Sequence, residues 1–269
     1  MALMLIKQKI DQYYVIGNPV KHSFSPNIHM NFAAKTGQNI RYEALEICPD
    51  NLEETLNVLR LDRTVKGLSV TLPFKEKLYL YCDKLDDFAI EAQAVSNVVI
   101  NTDRKFLGLN LDGLGLVNDI ENNLNISLKD KRILILGAGG AAKGILGAVM
   151  RKKPESITIA NRTKDKVLNL EKGLTKSEVK LNSCSLNEIE GVFDIVLNAT
   201  SASIARVRLP LSINNFTENA LAYDLMYACN GTVFTDWCQS NSIQAIDGKG
   251  MLLELSKIAF YYWRGIFPK

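Results

Sequence analysis

Short β-branched runs alternate with helical patterns along most of the chain. YYVIG (13–17) predicts a strand that runs into a Gly-Asn-Pro turn. Asn27 to Thr36 predict a helix, with Pro26 just ahead of it and Gly37 as its stop. GLSVTLPF (67–74) predicts a strand broken at Pro73, and AVSNVVI (94–100) a second strand, with Asp103 to Lys105 turning a hairpin. Leu114 to Leu124 then predict a helix. A second series opens at RILILG (132–137): a helix from Ala141, strand SITIAN (156–161), a helix to Leu170, and strands FDIVLNA (193–199) and ALAYDLM (220–226). Met251 to Phe267 predict one more amphipathic helix. Such alternation predicts an α/β fold with a mostly parallel sheet, and the first series ends near Asp112–Gly113.

Composition narrows the function classes. The chain has 269 residues, enough for about two domains. Its 32 basic and 29 acidic residues are interspersed, giving a net charge of +3. No basic block favours a nucleic-acid or membrane partner. The apolar start, MALMLI, is too short for a secretory core, and no run approaches the ~18 apolar residues of a membrane span. Cys48, Cys82, Cys184, Cys229 and Cys238 are odd in number and scattered, which predicts reduced thiols in a cytoplasm, with neither disulfides nor zinc. Two histidines make a His-rich metal site a poor expectation. The sequence is silent on oligomeric state and leaves a homodimer open.

KDKRILILGAGGAAKG places a hydrophobic strand, a glycine turn and a helix start in order. Gly137, Gly139 and Ala142 fit G-x-G-x-x-A: one residue turns sharply, one lets backbone approach a pyrophosphate, and one packs helix on strand. The helix start offers amide donors and a positive dipole to phosphates. A tight turn alone can need glycine, so the next strand end decides more. NAD enzymes usually place Asp or Glu there, on the ribose hydroxyls. Here stand Asn161-Arg162-Thr163, followed by Lys164 and Lys166. A guanidinium and ammonium groups suit a 2′-phosphate, which a carboxylate would repel. The pattern favours NADP over the alternative of a solvated basic helix start.

Near the N-terminus, GNPVKHSFSPNIH (17–29) carries Ser23 and Ser25 just before a helix, where hydroxyls and amides suit a carboxylate. Capping alone would explain one serine. Lys75 follows a Pro-ended strand, and neither it nor Asp112 in GLNLDG is distinctive alone. Together, GNPVKHSFSPNIH, SVTLPFK, GLNLDGLG, LGAGGAAKG, NRT, NATSAS, YDLMY and DGKGMLLELSKIAFYYWRG resemble the shikimate dehydrogenases in order and spacing, from about Tyr13 to Pro268.

The resemblance implies a Rossmann domain paired with a smaller α/β substrate-binding domain, the cleft between them being the active site. It implies reversible, NADPH-dependent reduction of 3-dehydroshikimate to shikimate. Ser23 and Ser25 would hold the substrate carboxylate, and Thr71 and Ser96 would contact ring hydroxyls. Lys75 would be the acid/base, paired with Asp112, and Tyr227 would lie near the ring. On the cofactor side the corresponding residues are Asp87, Gly137, Ala138, Gly139, Gly140, Ala141, Asn161, Arg162, Thr163, Lys166, Leu225 and Gly248. The substrate domain would comprise residues 1–112 and 248–269, and the NADP domain 113–247.

Several positions depart from the family pattern. Ser69 and Ser96 stand where it writes Asn, Asn97 and Leu111 where it writes Thr, Leu255 where it writes Gln, and Lys166 where it writes Arg. Stranding a buried hydroxyl costs about 1–3 kcal/mol. With a lost neutral hydrogen bond costing about 0.5–1.5 kcal/mol, a mixture of the two kinds of loss at three polyol positions totals roughly 3–6 kcal/mol if additive, or two to four decades in kcat/KM. Either neighbours such as Asn97 and Glu254 compensate, or the substrate is quinate or another cyclic hydroxy acid. A different class, a protein that binds NADP and an acid without turnover, is the third reading.

Overall fold

The computed structural model describes residues 10–163 and 179–268. In chain order they form β1 (Asp11–Gly17), α1 (Ser25–Thr36), β2 (Ile40–Glu46), α2 (Leu52–Leu61), β3 (Val65–Val70), α3 (Lys75–Tyr79), β4 (Lys84–Leu85), α4 (Asp87–Ala92), β5 (Asn97–Ile100) and β6 (Phe106–Leu109). Then come α5 (Asp112–Asn118), β7 (Arg132–Leu136), α6 (Gly140–Met150), β8 (Ser156–Asn161), β9 (Lys180–Ser185), β10 (Phe193–Asn198), β11 (Phe216–Asp224), α7 (Val233–Ser240), β12 (Gln244–Asp247) and α8 (Lys249–Arg264). They pack as two compact units. The first holds residues 10–86, 95–109 and 256–268, and the second holds 87–94, 110–163 and 179–255.

The first unit is built on a mixed sheet of order β2-β1-β3-β5-β6-β4. β1 pairs parallel with β2 and β3, whereas β5 pairs antiparallel with β3 and β6. One face of the sheet, with Tyr13, Val15 and Tyr42, packs on Phe32 and Ala33 of α1 and Phe260 of α8. Trp263 docks on the same cluster and donates from its indole N–H to Val98 O at 3.0 Å. The sequence pattern missed β2, whose alternation is short: Ile40 and Tyr42 are buried and Arg41 exposed, but Ala44 is exposed and the order is lost after Tyr42.

In the second unit every strand pairing is parallel, in the order β12-β11-β10-β7-β8-β9. Read from β9 this is the 3-2-1-4-5-6 order of a dinucleotide-binding sheet. Both faces are covered, which explains why the central strands β7 and β10 read as largely hydrophobic runs. Ile133, Ile135, Ile157, Ile159, Ile195 and Leu197 face a cluster with α5 and α6. Leu134, Leu136, Val196 and Ala222 face the other side, with Phe234 and Cys238 of α7.

Most expected elements recur with shifted ends. α1 starts at Ser25, not Asn27, and Gly37 takes the left-handed conformation that stops it, φ 67°. β3 ends at Val70, ahead of Pro73, which has no amide to extend a ladder. β5 starts at Asn97, and β11 runs from Phe216 to Asp224. The helix expected up to Leu170 lies outside the described residues. No helix among the described residues is long and apolar enough to cross a membrane.

Candidate active site

The residues singled out for substrate and cofactor fall at strand and helix ends, where the chain changes direction. In the first unit β1 ends at Gly17 and the chain enters α1 through Ser23 and Ser25. Ser23 Oγ donates to Ser25 Oγ and accepts from the Ser25 amide, both at 3.2 Å. Ser25 is buried and Ser23 half-buried. Two hydroxyls thus share the amino end of a helix, a setting that favours an anion.

β3 leads to the rest of this group. Thr71, half-buried, donates its amide to Ile16 O at 3.0 Å and accepts at its carbonyl from the Phe74 amide at 3.0 Å. This fixes the loop that delivers Lys75, also half-buried, at the first position of α3. The Lys75 carbonyl accepts from the Val95 amide at 2.8 Å, which anchors it to the segment entering β5.

Ser69 and Ser96, the departures from the family pattern, belong to one buried network. Asn97 lies opposite Ser69 in the β3–β5 ladder and donates from Nδ2 to Ser69 Oγ at 3.1 Å. Its Oδ1 accepts from Ser96 Oγ at 2.9 Å. The Tyr42 hydroxyl donates to Ser69 Oγ at 2.8 Å. An amide one position along thus supports both serines, so neither hydroxyl is stranded. Sequence reasoning named Asn97 as a compensating neighbour but missed Tyr42, which reaches Ser69 across the intervening β1.

In the second unit the turn after β7 has the geometry its glycines require. Gly137 sits at φ 107°, where an L side chain is strained, and its amide donates to Ala160 O at 2.8 Å. Ala138 and Gly140 are buried and Ala141 half-buried, while Gly139 is exposed. A Cβ at Gly139 would meet nothing within 4 Å, so the backbone there faces open space at the start of α6. That is where a pyrophosphate must approach. β8 ends at Asn161, whose side-chain amide donates to Thr163 O at 2.9 Å. Arg162 and Thr163 are exposed, and the strand end carries no acid. Lys166 lies outside the described residues. This set fits a phosphorylated dinucleotide.

Asp112 opens α5 in the second unit and is 2% exposed. Its amide donates to Asn110 Oδ1 at 3.3 Å, and Asn110 Nδ2 donates to Ala94 O at 2.9 Å. A Cβ at Gly144 of α6 would lie 2.9 Å from both Asn110 Oδ1 and Asp112 Oδ2. Gly144 therefore makes room for the two polar side chains. Asp87, exposed, opens α4. Leu225 and Tyr227, both half-buried, follow β11, and the Leu225 amide donates to Asn198 O at 2.9 Å. The Gly248 amide donates to Met226 O at 3.0 Å. Leu255 is half-buried against the apolar cluster of α5 and α6. Among the described residues no group of three His, Cys, Asp or Glu could hold a metal ion.

Two sequence families match the chain. "Shikimate dehydrogenase substrate binding domain" matches residues 15–99, and "Shikimate / quinate 5-dehydrogenase" matches residues 119–215. Shikimate dehydrogenase (NADP(+)) of Dechloromonas aromatica is 43% identical, over 96% of this chain and 94% of its own. The Aromatoleum aromaticum protein of the same name is 41% identical with the same coverage. Among solved structures, an Ael1 enzyme from Pseudomonas putida superposes with TM-score 0.85 at 37% identity, over 96% of this chain and 95% of that one. Shikimate 5-dehydrogenase from Thermus thermophilus, solved with NADP(H) and shikimate, gives 0.83 at 28% identity, over 97% and 95%. With two family matches and relatives above 40% identity along nearly the whole chain, this protein belongs to the shikimate dehydrogenase family.

Proposed function

We propose that the chain reduces 3-dehydroshikimate reversibly to shikimate with NADPH, in a cytoplasm that keeps its five cysteines reduced. The observation that carries this reading is the Ser23–Ser25 hydroxyl pair at the amino end of α1, in a chain whose glycine turn fits a dinucleotide. Residues 1–112 with 248–269 form the substrate domain, and 113–247 the NADP domain. The packing units support this division, but helix α4 and residues 110–112 and 248–255 pack with the second unit.

Each residue takes a role from its setting. Ser23 and Ser25 hold the substrate carboxylate by hydroxyl and amide donors. Thr71 and Ser96 receive ring hydroxyls, Ser96 with Asn97 behind it. Tyr227 borders the ring and Asp112 accepts from a substrate hydroxyl. Gly137 to Ala141 offer amides to the pyrophosphate, Asn161 to Thr163 and Lys166 hold the adenosine end, and Asp87, Leu225 and Gly248 lie toward the nicotinamide. The cofactor, when bound, supplies the hydride. The proton travels separately: Lys75 Nζ would give it to the carbonyl oxygen in the reduction and take it back in the reverse direction.

Lys75→Ala tests this directly. It should lower kcat by about 10²–10⁴, the usual contribution of a positioned acid–base group, with NADP binding unchanged. Turnover near that of the unaltered protein at saturating substrate would remove Lys75 from the mechanism.

A further inference from the structure

The mechanism above leaves two buried acids, Asp119 and Asp224, unused. Asp224 ends β11 and has no exposed surface, 0%. Its carboxylate receives four hydrogen bonds. Oδ1 accepts from Asn198 Nδ2 and from the Met226 amide, both at 3.0 Å. Oδ2 accepts from Ser203 Oγ at 2.5 Å and Thr232 Oγ1 at 2.6 Å. Burial raises its pKa, and the four donors work against that rise. A buried carboxylate is expensive to keep, and an apolar side chain would serve packing better.

The four donors come from separate stretches of the carboxyl edge of the sheet. Asn198 ends β10, Ser203 lies in the loop that follows, and Met226 and Thr232 flank the turn after β11. The network spreads further through Asn198, whose Oδ1 accepts from the Thr200 amide at 3.0 Å and the Thr200 hydroxyl at 2.7 Å. Ala199 and Thr200 line the glycine turn: a Cβ at Gly137 would lie 3.1 Å from Ala199 O and 3.3 Å from Thr200 Cγ2. On a sheet of this order the dinucleotide lies across the carboxyl edge, one mononucleotide on each half. The β7–β8–β9 half carries Arg162, suited to the 2′-phosphate. The β10–β11–β12 half, which Asp224 organises, is left for the nicotinamide mononucleotide.

We propose that Asp224 is the positioning residue of the nicotinamide half-site, setting the loops at 199–206 and 225–232 in the arrangement that receives the nicotinamide mononucleotide. It touches no reacting atom and acts through Ser203, Met226, Thr232 and Asn198. The inference rests on the cofactor reading given above.

The test separates the two ends of the cofactor. Asp224→Asn keeps the side-chain size but turns one acceptor oxygen into a donor that faces existing donors. Binding of 2′,5′-ADP, which carries the adenosine end alone, should stay within about twofold of the unaltered protein. NADP affinity and kcat should each fall about tenfold or more, as expected for misplaced charged hydrogen bonds. Ser203→Ala removes one donor without changing charge, and should move the same quantities by roughly two- to fivefold. Unchanged NADP binding and kcat in Asp224→Asn would overturn the proposal. So would a loss of 2′,5′-ADP affinity parallel to that of NADP in the milder Ser203→Ala protein, because the acid would then only hold the fold. If the unaltered protein binds neither compound, the cofactor reading itself fails.

Discussion

His29 sits inside the apolar cluster of the first unit, stacked on Tyr42 at 4.4 Å between ring centroids and edge-on to Phe32. Neither ring nitrogen meets a hydrogen-bond partner among the described residues. Burial lowers its pKa from 6.5 to about 3. The folded state therefore binds this proton less readily than the unfolded chain does. The contribution to stability is complete above pH 6.5 and is lost progressively as pH falls toward 3. At pH 5 the loss is on the order of 2 kcal/mol. His29→Phe keeps an aromatic ring and removes the titration. Urea unfolding at about pH 7 and pH 5 should then show a smaller drop in the variant than in the unaltered protein. Parallel drops would place the acid sensitivity elsewhere. Arg162→Ala addresses the cofactor end in the same way. Loss of a charged hydrogen bond, about 1.5–3 kcal/mol, should raise KM for NADP roughly ten- to a hundredfold and leave KM for NAD nearly unchanged. Equal effects on both cofactors would remove the 2′-phosphate contact. Ser23, Ser25, Lys75 and Arg162 stood out in the sequence as candidates because short motifs set them beside recognisable turns. Tyr42 and Asp224 did not, because the bonds of Tyr42 to Ser69 and of Asp224 to Asn198 and Ser203 join residues far apart in sequence.

Helix α6 shows how an element serves a site without contributing a reactive group. Gly144 lies in its interior, where Ala would favour the helix by about 1 kcal/mol. The glycine persists against that preference because a Cβ would press on Asn110 and on the Asp112 carboxylate. Gly144→Ala is expected to lower kcat with shikimate several-fold while 2′,5′-ADP binding holds, because it displaces Asp112 and spares the glycine turn. An unchanged kcat would show that Asp112 tolerates the shift or does not meet substrate. Element type was legible wherever the period was strong, as in SITIAN, which matches β8 residue for residue. Edge strands were harder: KLNSCS of β9 and QAID of β12 mix polar and half-buried positions, so neither stands out as a hydrophobic run. Helix and strand ends moved by up to a few residues, because caps and ladders depend on neighbours in space.

At the scale of the whole chain, the parallel sheet was readable from RILILG onward, since strands buried on both faces write continuous apolar runs. The mixed sheet of the first unit was readable only in part: the hairpin turned at Asp103 to Lys105 is present as the antiparallel β5–β6 pair, but β2 was missed. Its antiparallel β5 and β6 are four residues each, and its motifs revealed more than its periodicity did. The packing of α4 with the second unit is likewise non-local, and no feature of DFAIEA announces it. The buried network of Tyr42, Ser69, Asn97 and Ser96 bears most on substrate choice, because it supplies partners to both serines that stand in asparagine positions. Neither serine hydroxyl is therefore stranded, and under the proposed function shikimate is the expected substrate despite the departures. The initial rate of NADPH formation from NADP⁺, measured with shikimate and with quinate as sole substrates, tests this most directly. Shikimate should turn over with kcat/KM about tenfold or more above that of quinate. Turnover of quinate alone, or of neither acid by protein that binds NADP, would contradict it.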